Sequence, residues 1–175
     1  VSRVLQESGA DYLAVALPVE GVELRQAGIS LPILVLTAGT DFFDEIIDNH
    51  LEPGIPNLYT LRSLVSVLQT RGIESFPVHI KLDTGMHRLG FMTSELGELL
   101  DFLRVCPEVR VKSVYSHLAV AEDPSMDDFT LGQITMFEDN AARIDASLGY
   151  HPIWHILNSA GIERFPQFQH DMVRL

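Results

Sequence analysis

Apolar positions along the chain group into two kinds of segment, which alternate from one end to the other. Short apolar runs are typical of buried strands, whereas longer runs with helical spacing are typical of amphipathic helices. The short runs predict seven strands, at residues 11–17, 32–36, 57–60, 78–83, 109–118, 153–157 and 172–175. The longer runs predict six helices between them, at residues 19–27, 41–48, 61–71, 94–103, 129–148 and 159–165. Such alternation indicates an α/β fold with a parallel sheet and crossover helices.

Two architectures fit this alternation, an open doubly wound sheet and a closed barrel. The sequence G-x-G-x-x-G, which follows an early strand in many open sheets, is absent, and so is G-x-x-x-x-G-K-[ST]. We therefore expect a barrel of the TIM type, (β/α)8, in which the chemistry takes place at the carboxyl ends of the strands.

Composition narrows the possible functions. With 46% hydrophobic residues, the 175-residue chain can bury one sizeable core, and its length favours a single domain over residues 1–175. A formal net charge of −12 argues against a nucleic-acid partner, which needs a basic surface. No apolar stretch is long enough to cross a membrane, and the single cysteine, Cys106, cannot form an intrachain disulfide. We expect a soluble, cytoplasmic domain without a nucleic-acid or membrane partner.

Polar residues at the end of the fourth predicted strand suggest a functional site. Alternation along residues 78–83 sends Lys81 and Asp83 to the face opposite the apolar positions, and therefore into the barrel near its rim. A buried lysine is costly unless it is paired, neutral or chemically modified. Arg88, in the loop that follows, could bind an anion with both arms of its guanidinium, or could be an ordinary surface arginine in a turn.

The next three predicted strands carry polar residues at the same end. His117 closes one of them and fits either a structural or a catalytic histidine. Asn158 and Ser159 precede a helical turn, where they could bind an anion or simply cap the helix. Arg174 stands between apolar residues and needs a partner. Because four successive strands share this feature, we expect these side chains to gather at one rim.

A second histidine pattern does not predict a metal site. His151 and His155 have the spacing of a metal-binding pair on a helix. However, Pro152 lies between them, and the residues that follow form a strand-like run. We therefore expect no metal ion in this protein.

Several of these segments resemble the alanine racemase family, in the same order along the chain. Residues 79–91, H-I-K-L-D-T-G-M-H-R-L-G-F, closely resemble its segment K-x-D-T-G-M-x-R-x-G. Residues 115–123 are similar to T-H-x-A-x-A-D-E, although Glu122 and Asp123 stand where Asp and Glu are usual. Residues 155–160 resemble H-x-x-N-S-A, and the last four residues resemble the start of V-R-x-G.

The resemblance implies a larger enzyme that interconverts L-alanine and D-alanine for cell-wall synthesis, with pyridoxal 5'-phosphate as cofactor and as a homodimer. It implies that this chain is the barrel domain cut short at both ends, holding strands two to eight, with the first strand missing. A parent protein of this kind also occurs fused behind a peptidoglycan amino-acid ligase, and the sequence is compatible with either arrangement.

The resemblance also implies roles for four residues around the cofactor ring. Arg174 would bind the pyridine nitrogen and, as a permanent cation, keep it unprotonated. His117 would support the ring and Arg174. Arg88 would contact the phenolic oxygen, and Lys81 would be carbamylated, which turns a buried cation into an anion that orients Arg88.

The remaining expectations concern the phosphate and the groups that move protons. Ser159 would bind the phosphate, with Asn158 beside it. The family's cofactor-bound lysine lies before Val1 and its tyrosine base lies in a second domain, so we expect the isolated chain to be inactive. The alternatives are another barrel-type amino-acid racemase or decarboxylase, and a non-catalytic carrier of pyridoxal phosphate. Carriers of this fold lack the D-T-G-M-x-R-x-G loop.

Overall fold

A computed structural model describes residues 1–175. Its six strands are Leu13–Val15 (β1), Ile33–Val35 (β2), Glu52–Ile55 (β3), Phe76–Lys81 (β4), Val109–Tyr115 (β5) and Ile153–His155 (β6). Its seven α-helices are Ser2–Glu7 (α1), Pro18–Gln26 (α2), Phe43–Asp48 (α3), Leu58–Arg71 (α4), Leu96–Leu103 (α5), Asp127–Leu148 (α6) and Ser159–Arg164 (α7). Short 3₁₀ turns occupy Thr40–Phe42, Thr93–Glu95, Pro124–Met126 and Pro166–Phe168.

The strands form one parallel sheet in the order β1-β2-β3-β4-β5-β6, which is also their order in the sequence. This order is that of a TIM-type barrel, in which each strand lies beside the one before it. The sheet curls, because Leu34 of β2 and His155 of β6 line the same cavity. The expectation of an incomplete TIM-type barrel is therefore confirmed. None of the helices combines the length and the apolar character needed to cross a bilayer.

The hydrophobic core lies between the sheet and the helices. On β4, Val78 and Ile80 are fully buried, as are Leu61 and Leu64 of α4. The side chain of His79, between the two β4 residues, contacts Ser113 of β5 and therefore points into the barrel. Within β4 the predicted alternation is thus confirmed, since the apolar side chains of Val78 and Ile80 are buried on one face and His79 points inward from the other.

The strand predicted at residues 57–60 is wrong. The third strand is β3, and Asn57 instead caps α4, because its side-chain oxygen accepts a hydrogen bond of 2.8 Å from the Thr60 amide. The strand is hard to see in the sequence because it contains Pro53 and Gly54. Gly54 is required by tertiary contact, since a Cβ atom there would lie 2.5 Å from the Tyr115 hydroxyl.

The strand predicted at residues 172–175 is also wrong. Both the Asp171 and Met172 amides donate to the Trp154 carbonyl, so the chain turns here instead of entering a ladder. In the last residues, only the Arg174 amide bonds to the segment that follows β6, donating to the Leu157 carbonyl at 3.0 Å. This single hydrogen bond nevertheless holds Arg174 at the carboxyl end of β6.

Candidate active site

A cavity lies at the carboxyl ends of the strands, lined by three cationic side chains and no carboxylate. The lining residues are Leu34, Leu36, Lys81, Arg88, Tyr115, Ser116, His117, His155, Ile156, Leu157 and Arg174. Four of the six residues predicted for the site are therefore brought together here. The other two, Asn158 and Ser159, do not line the cavity. A concave surface of this composition suits an anionic ligand with an apolar or aromatic body.

Lys81 ends β4 and is half-buried in this cavity. Its pKa is lowered, first by burial and then by the positive charge of Arg88, while Asp83 acts more weakly in the opposite direction. Its ammonium nitrogen lies 5.9 Å from the centre of the Tyr115 ring. Because burial and two neighbouring guanidinium groups all disfavour its charge, this lysine is more easily deprotonated than an exposed one.

The loop after β4 carries Arg88 to the cavity and is shaped by Asp83. One carboxylate oxygen of Asp83 accepts hydrogen bonds of 3.0 Å from the Gly85 and His87 amides. The expectation that Asp83 points into the barrel is therefore wrong, because its side chain is used to fold the loop and does not line the cavity. Aspartate commonly organises a turn in this way, by accepting from amides that follow it.

The same loop closes on itself at Gly90. The Phe91 amide donates to the Lys81 carbonyl at 2.8 Å, and the Asp83 amide donates to the Phe91 carbonyl at 2.9 Å. Gly90 has a φ of 133°, and a Cβ atom on it would lie 2.5 Å from the Asp83 amide nitrogen. Only glycine fits here, so the final glycine of the D-T-G-M-x-R-x-G pattern serves the closure of the loop.

Arg174 finds its partner in His117. Its Nη2 atom lies 3.2 Å from Nδ1 of His117. A guanidinium can only donate, so Nδ1 of His117 accepts and carries no proton. The pKa of His117 is lowered, first by burial and then by the charge of Arg174, so both geometry and charge favour a neutral imidazole. Arg174 itself is exposed, and its hydrogen-bond partner is an imidazole and not a carboxylate.

Asn158 serves as the cap of α7, which was one of the two possibilities that the sequence allowed. Its side-chain oxygen accepts from the Gly161 amide at 3.0 Å, and its side-chain nitrogen donates to the Leu118 carbonyl at 3.2 Å. Ser159 begins α7 and is exposed, just beyond the cavity lining at Leu157. The loop between β6 and α7 thus starts in the cavity and leaves it at Asn158.

Among the cavity residues that were not predicted from the sequence are two with aromatic rings, Tyr115 and His155. Their rings are stacked, with centroids 5.0 Å apart and planes 3° apart. Burial lowers the pKa of His155 to about 3, with smaller contributions from His79 and Arg174. Inward alternation on β5 could have identified Tyr115, which lies on the same face as His117. His155 was considered only as half of a metal pair, but His151 binds Asp145 and Asp171 instead.

Known proteins resemble this chain over its whole length. The family model described as alanine racemase, N-terminal domain, matches residues 1–175. Over 99% of its length, the chain is 37% identical to an alanine racemase of Sorangium cellulosum and 38% identical to one of Syntrophobacter fumaroxidans. It spans 47% and 46% of those two proteins, so it has about half the length of these curated relatives.

Solved structures agree with these relatives. An alanine racemase of Clostridium difficile 630 in complex with cycloserine superposes with a TM-score of 0.91 at 31% identity. The match covers 99% of this chain and 48% of that one. An alanine racemase of Bacillus anthracis with bound L-Ala-P gives a TM-score of 0.86 at 28% identity, and covers 98% of this chain and 44% of that one.

Proposed function

Because the chain belongs to the family of the alanine racemase N-terminal domain, we propose that residues 1–175 form part of the cofactor-binding barrel of an alanine racemase. The whole protein would interconvert L- and D-alanine in the cytoplasm as a homodimer, and its product would feed cell-wall synthesis. The observation that carries this proposal is the cavity lined by Lys81, Arg88, His117 and Arg174, with three cations and no carboxylate.

These residues fit pyridoxal phosphate, the cofactor of this family. Pyridoxal phosphate is a planar aromatic ring with anionic substituents. The cavity offers cations, imidazoles and an apolar wall that consists of Leu34, Leu36, Ile156 and Leu157. When bound, it withdraws electrons and so stabilises negative charge at the α-carbon of an amino acid. An anion-binding cavity without acidic side chains suits such a cofactor, because nearby carboxylates would repel its phosphate and phenolate groups.

Arg174 and His117 would hold the ring at its nitrogen. A guanidinium is always charged and can only donate, so it presents a hydrogen bond without supplying a proton. His117 accepts from Arg174 through Nδ1, and this hydrogen bond orients the guanidinium. We propose that the pair binds the ring nitrogen while leaving it unprotonated. Arg88 would contact the phenolic oxygen. Ser159 would bind the phosphate, with Asn158 beside it as the residue that caps α7.

Lys81 would act through a carbamate on its side chain. Its lowered pKa makes the free amine more accessible than on an exposed lysine, and that nitrogen can attack carbon dioxide and release one proton. The product is an anion between Arg88 and Arg174, so repulsion among three cations becomes attraction. An intact mass or a high-resolution map of the active protein should show the added group. An unmodified Lys81 in fully active protein would refute this role.

The isolated 175 residues should not racemise alanine. The chain contains two lysines, and neither is placed to transfer a proton at the α-carbon of a bound amino acid. Lys81 has the supporting role just described, and Lys112 is exposed on β5. The check is to mix this chain with pyridoxal phosphate and measure conversion of L-alanine. Robust turnover by these residues alone would show that the assignment of roles is wrong.

The decisive experiment uses the whole protein that carries this chain. It should be loaded with pyridoxal phosphate and given a panel of L-amino acids, and the products should be separated by chirality. We expect D-alanine from L-alanine, and little product from larger amino acids. Release of carbon dioxide would indicate a decarboxylase instead, and cofactor binding without any product would indicate a carrier.

A further inference from the structure

Four polar side chains form a continuous line of hydrogen bonds through the interior of the sheet, beneath the cavity. Glu52 of β3 lies 2.8 Å from Nε2 of His79 on β4. Nδ1 of His79 lies 2.6 Å from the hydroxyl of Ser113 on β5. The same hydroxyl lies 3.1 Å from Nε2 of His155 on β6. Each of four neighbouring strands contributes one group, and the line ends at a residue that lines the cavity.

This line is unusual for its position. The interior of a parallel barrel is commonly filled by branched apolar side chains. Here His79 and Ser113 have no exposed surface, and His155 is 6% exposed. Burying polar groups costs free energy, even when each one is hydrogen-bonded, relative to a well-packed apolar core. A chemical role for the line would explain why an apolar interior does not stand in its place.

With one proton on each imidazole ring, the direction of every hydrogen bond in the line follows from Glu52. A carboxylate only accepts, so Nε2 of His79 carries the hydrogen. A neutral His79 must then accept at Nδ1, and Ser113 donates to it. The oxygen of Ser113 is left to accept from Nε2 of His155, so that ring holds its one proton on Nε2.

We propose that Glu52, His79 and Ser113 are positioning residues that hold His155 as a neutral ring with its proton on Nε2. The proton of His155 is thereby used inside the barrel, and Nδ1 remains a hydrogen-bond acceptor. His155 cannot then donate to a ligand in the cavity. Nδ1 of His117 also carries no proton. Among His155, His117 and Arg174, only Arg174 is therefore a permanent cation that donates hydrogen bonds through charged N–H groups.

The consequence for catalysis rests on the proposed function. If Arg174 binds the nitrogen of a pyridine ring, a second donor nearby could deliver a proton to that nitrogen and change the reaction. The interior line prevents this by fixing the charge and the tautomer of His155, which stacks on Tyr115 in the same cavity. The placement of the proton itself is a property of the chain without any ligand.

The test is to observe the two ring nitrogens of His155 by NMR in the ¹⁵N-histidine-labelled chain. Long-range ¹H–¹⁵N spectra distinguish a protonated from an unprotonated ring nitrogen, and a His155→Gln variant assigns the resonances. We expect a single tautomer at neutral pH, with the proton on Nε2. A proton on Nδ1 would mean that the line runs in the opposite direction, and would overturn the proposal.

Variants separate this proposal from a purely structural role. Ser113→Ala should convert the single tautomer of His155 into a mixture. Glu52→Met should do the same, whereas Glu52→Gln should not, because its amide oxygen can still accept from His79. Tyr12→Phe is the matched control. The Tyr12 hydroxyl donates to Glu52 at 3.1 Å, at the end of the line away from His155, so its loss removes a hydrogen bond without interrupting the line. An unchanged single tautomer in a folded Ser113→Ala chain would refute the proposal.

Failure of the proposed function would look different. If the whole protein neither binds pyridoxal phosphate nor acts on alanine, the tautomer measured in the chain still stands. If the protein is an active racemase, Ser113→Ala should lower its kcat with little change in KM and should increase side products, while Tyr12→Phe should do neither. An active racemase in which His155 exchanges freely between tautomers would refute the positioning role alone.

Discussion

The two ends of β6 place the same residue type in opposite environments. His151, just before the strand, is exposed and lies between two carboxylates, 2.6 Å from Asp145 and 2.9 Å from Asp171. His155, the last residue of the strand, is buried between the Ser113 hydroxyl and the Tyr115 ring. Hydrogen bonds to Asp145 and Asp171 raise the pKa of His151, whereas burial lowers that of His155 to about 3.

The difference shows how the carboxyl end of the sheet becomes a site. At the amino end of β6, charge is compensated by pairs of opposite sign, which is typical of a surface that only stabilises the fold. At the carboxyl end, cations stand without acidic partners beside neutral imidazoles, so their charge remains available for a ligand. Trp154 separates the two environments, and its ring contacts Phe137 of α6 edge-on, with centroids 6.2 Å apart.

The largest expected effect is a loss of folding stability when the contact that holds β6, and with it both histidine environments, is removed. Phe137 is fully buried against Trp154, so Phe137→Ala should lower the free energy of unfolding by about 3–5 kcal/mol. Met136→Ala, on the same helix at a position that is 43% exposed, is the control and should cost less than about 1 kcal/mol. Urea denaturation of both variants gives the comparison. Equal losses would mean that α6 does not hold β6 in place.

The two ends of β6 differ because only the amino end has carboxylates beside its histidine, so a carboxylate placed in the cavity should remove this difference. Arg174→Glu replaces the cation beside His117 with an anion, so the pKa of His117 should rise, as that of His151 does. In the whole protein, we expect racemisation to fall by a factor on the order of 100 to 1000, with cofactor still bound and with side products such as those of transamination. Absorbance, chiral product analysis and NMR titration measure the three effects.

Arg143→Glu is the control for that charge reversal, because Arg143 is exposed on α6 and does not line the cavity. It should leave turnover, products and the titration of His117 unchanged. Racemisation without side products in the Arg174→Glu protein would contradict the role assigned to Arg174.

Acid should destabilise the chain through His155. Its pKa is lower in the folded chain than in the unfolded chain, so below about pH 6.5 the unfolded state takes up a proton that the folded state does not. The resulting loss is about 2 kcal/mol at about pH 5 and grows until the pH approaches the folded value. His155→Gln should remove this dependence although it lowers stability at neutral pH. Parallel stability–pH curves for the two chains would disprove the assignment.

His151 should give a smaller effect of opposite sign. Its pKa is raised in the folded chain, so its stabilisation is complete below the ordinary value of about 6.5 and is lost as the pH rises through the folded value. Asp145→Asn should therefore lower Tm most at mildly acidic pH, and the difference should shrink at alkaline pH. The effect should be only a few degrees because His151 is exposed.

Much of the site could be predicted from local pattern. Period-two alternation placed Lys81 on an inward face, and His117 was predicted at the end of its strand. Parallel strands bring their carboxyl ends to one rim, so the clustering of these residues with Arg88 and Arg174 followed. The role of Asp83 did not follow, because alternation gives the side of a strand but not the loop amides that capture a carboxylate. Nor did β3, whose Gly54 is required by Tyr115 on another strand.

The sequence by itself determined the α/β alternation and the inward and outward faces of β4. Both depend on the period of the backbone, which is a local property. Tertiary structure alone decided the environments of His151 and His155, and with them the opposite directions in which their pKa values shift. Burial and partner choice bring together residues far apart in the chain, so no local pattern encodes them.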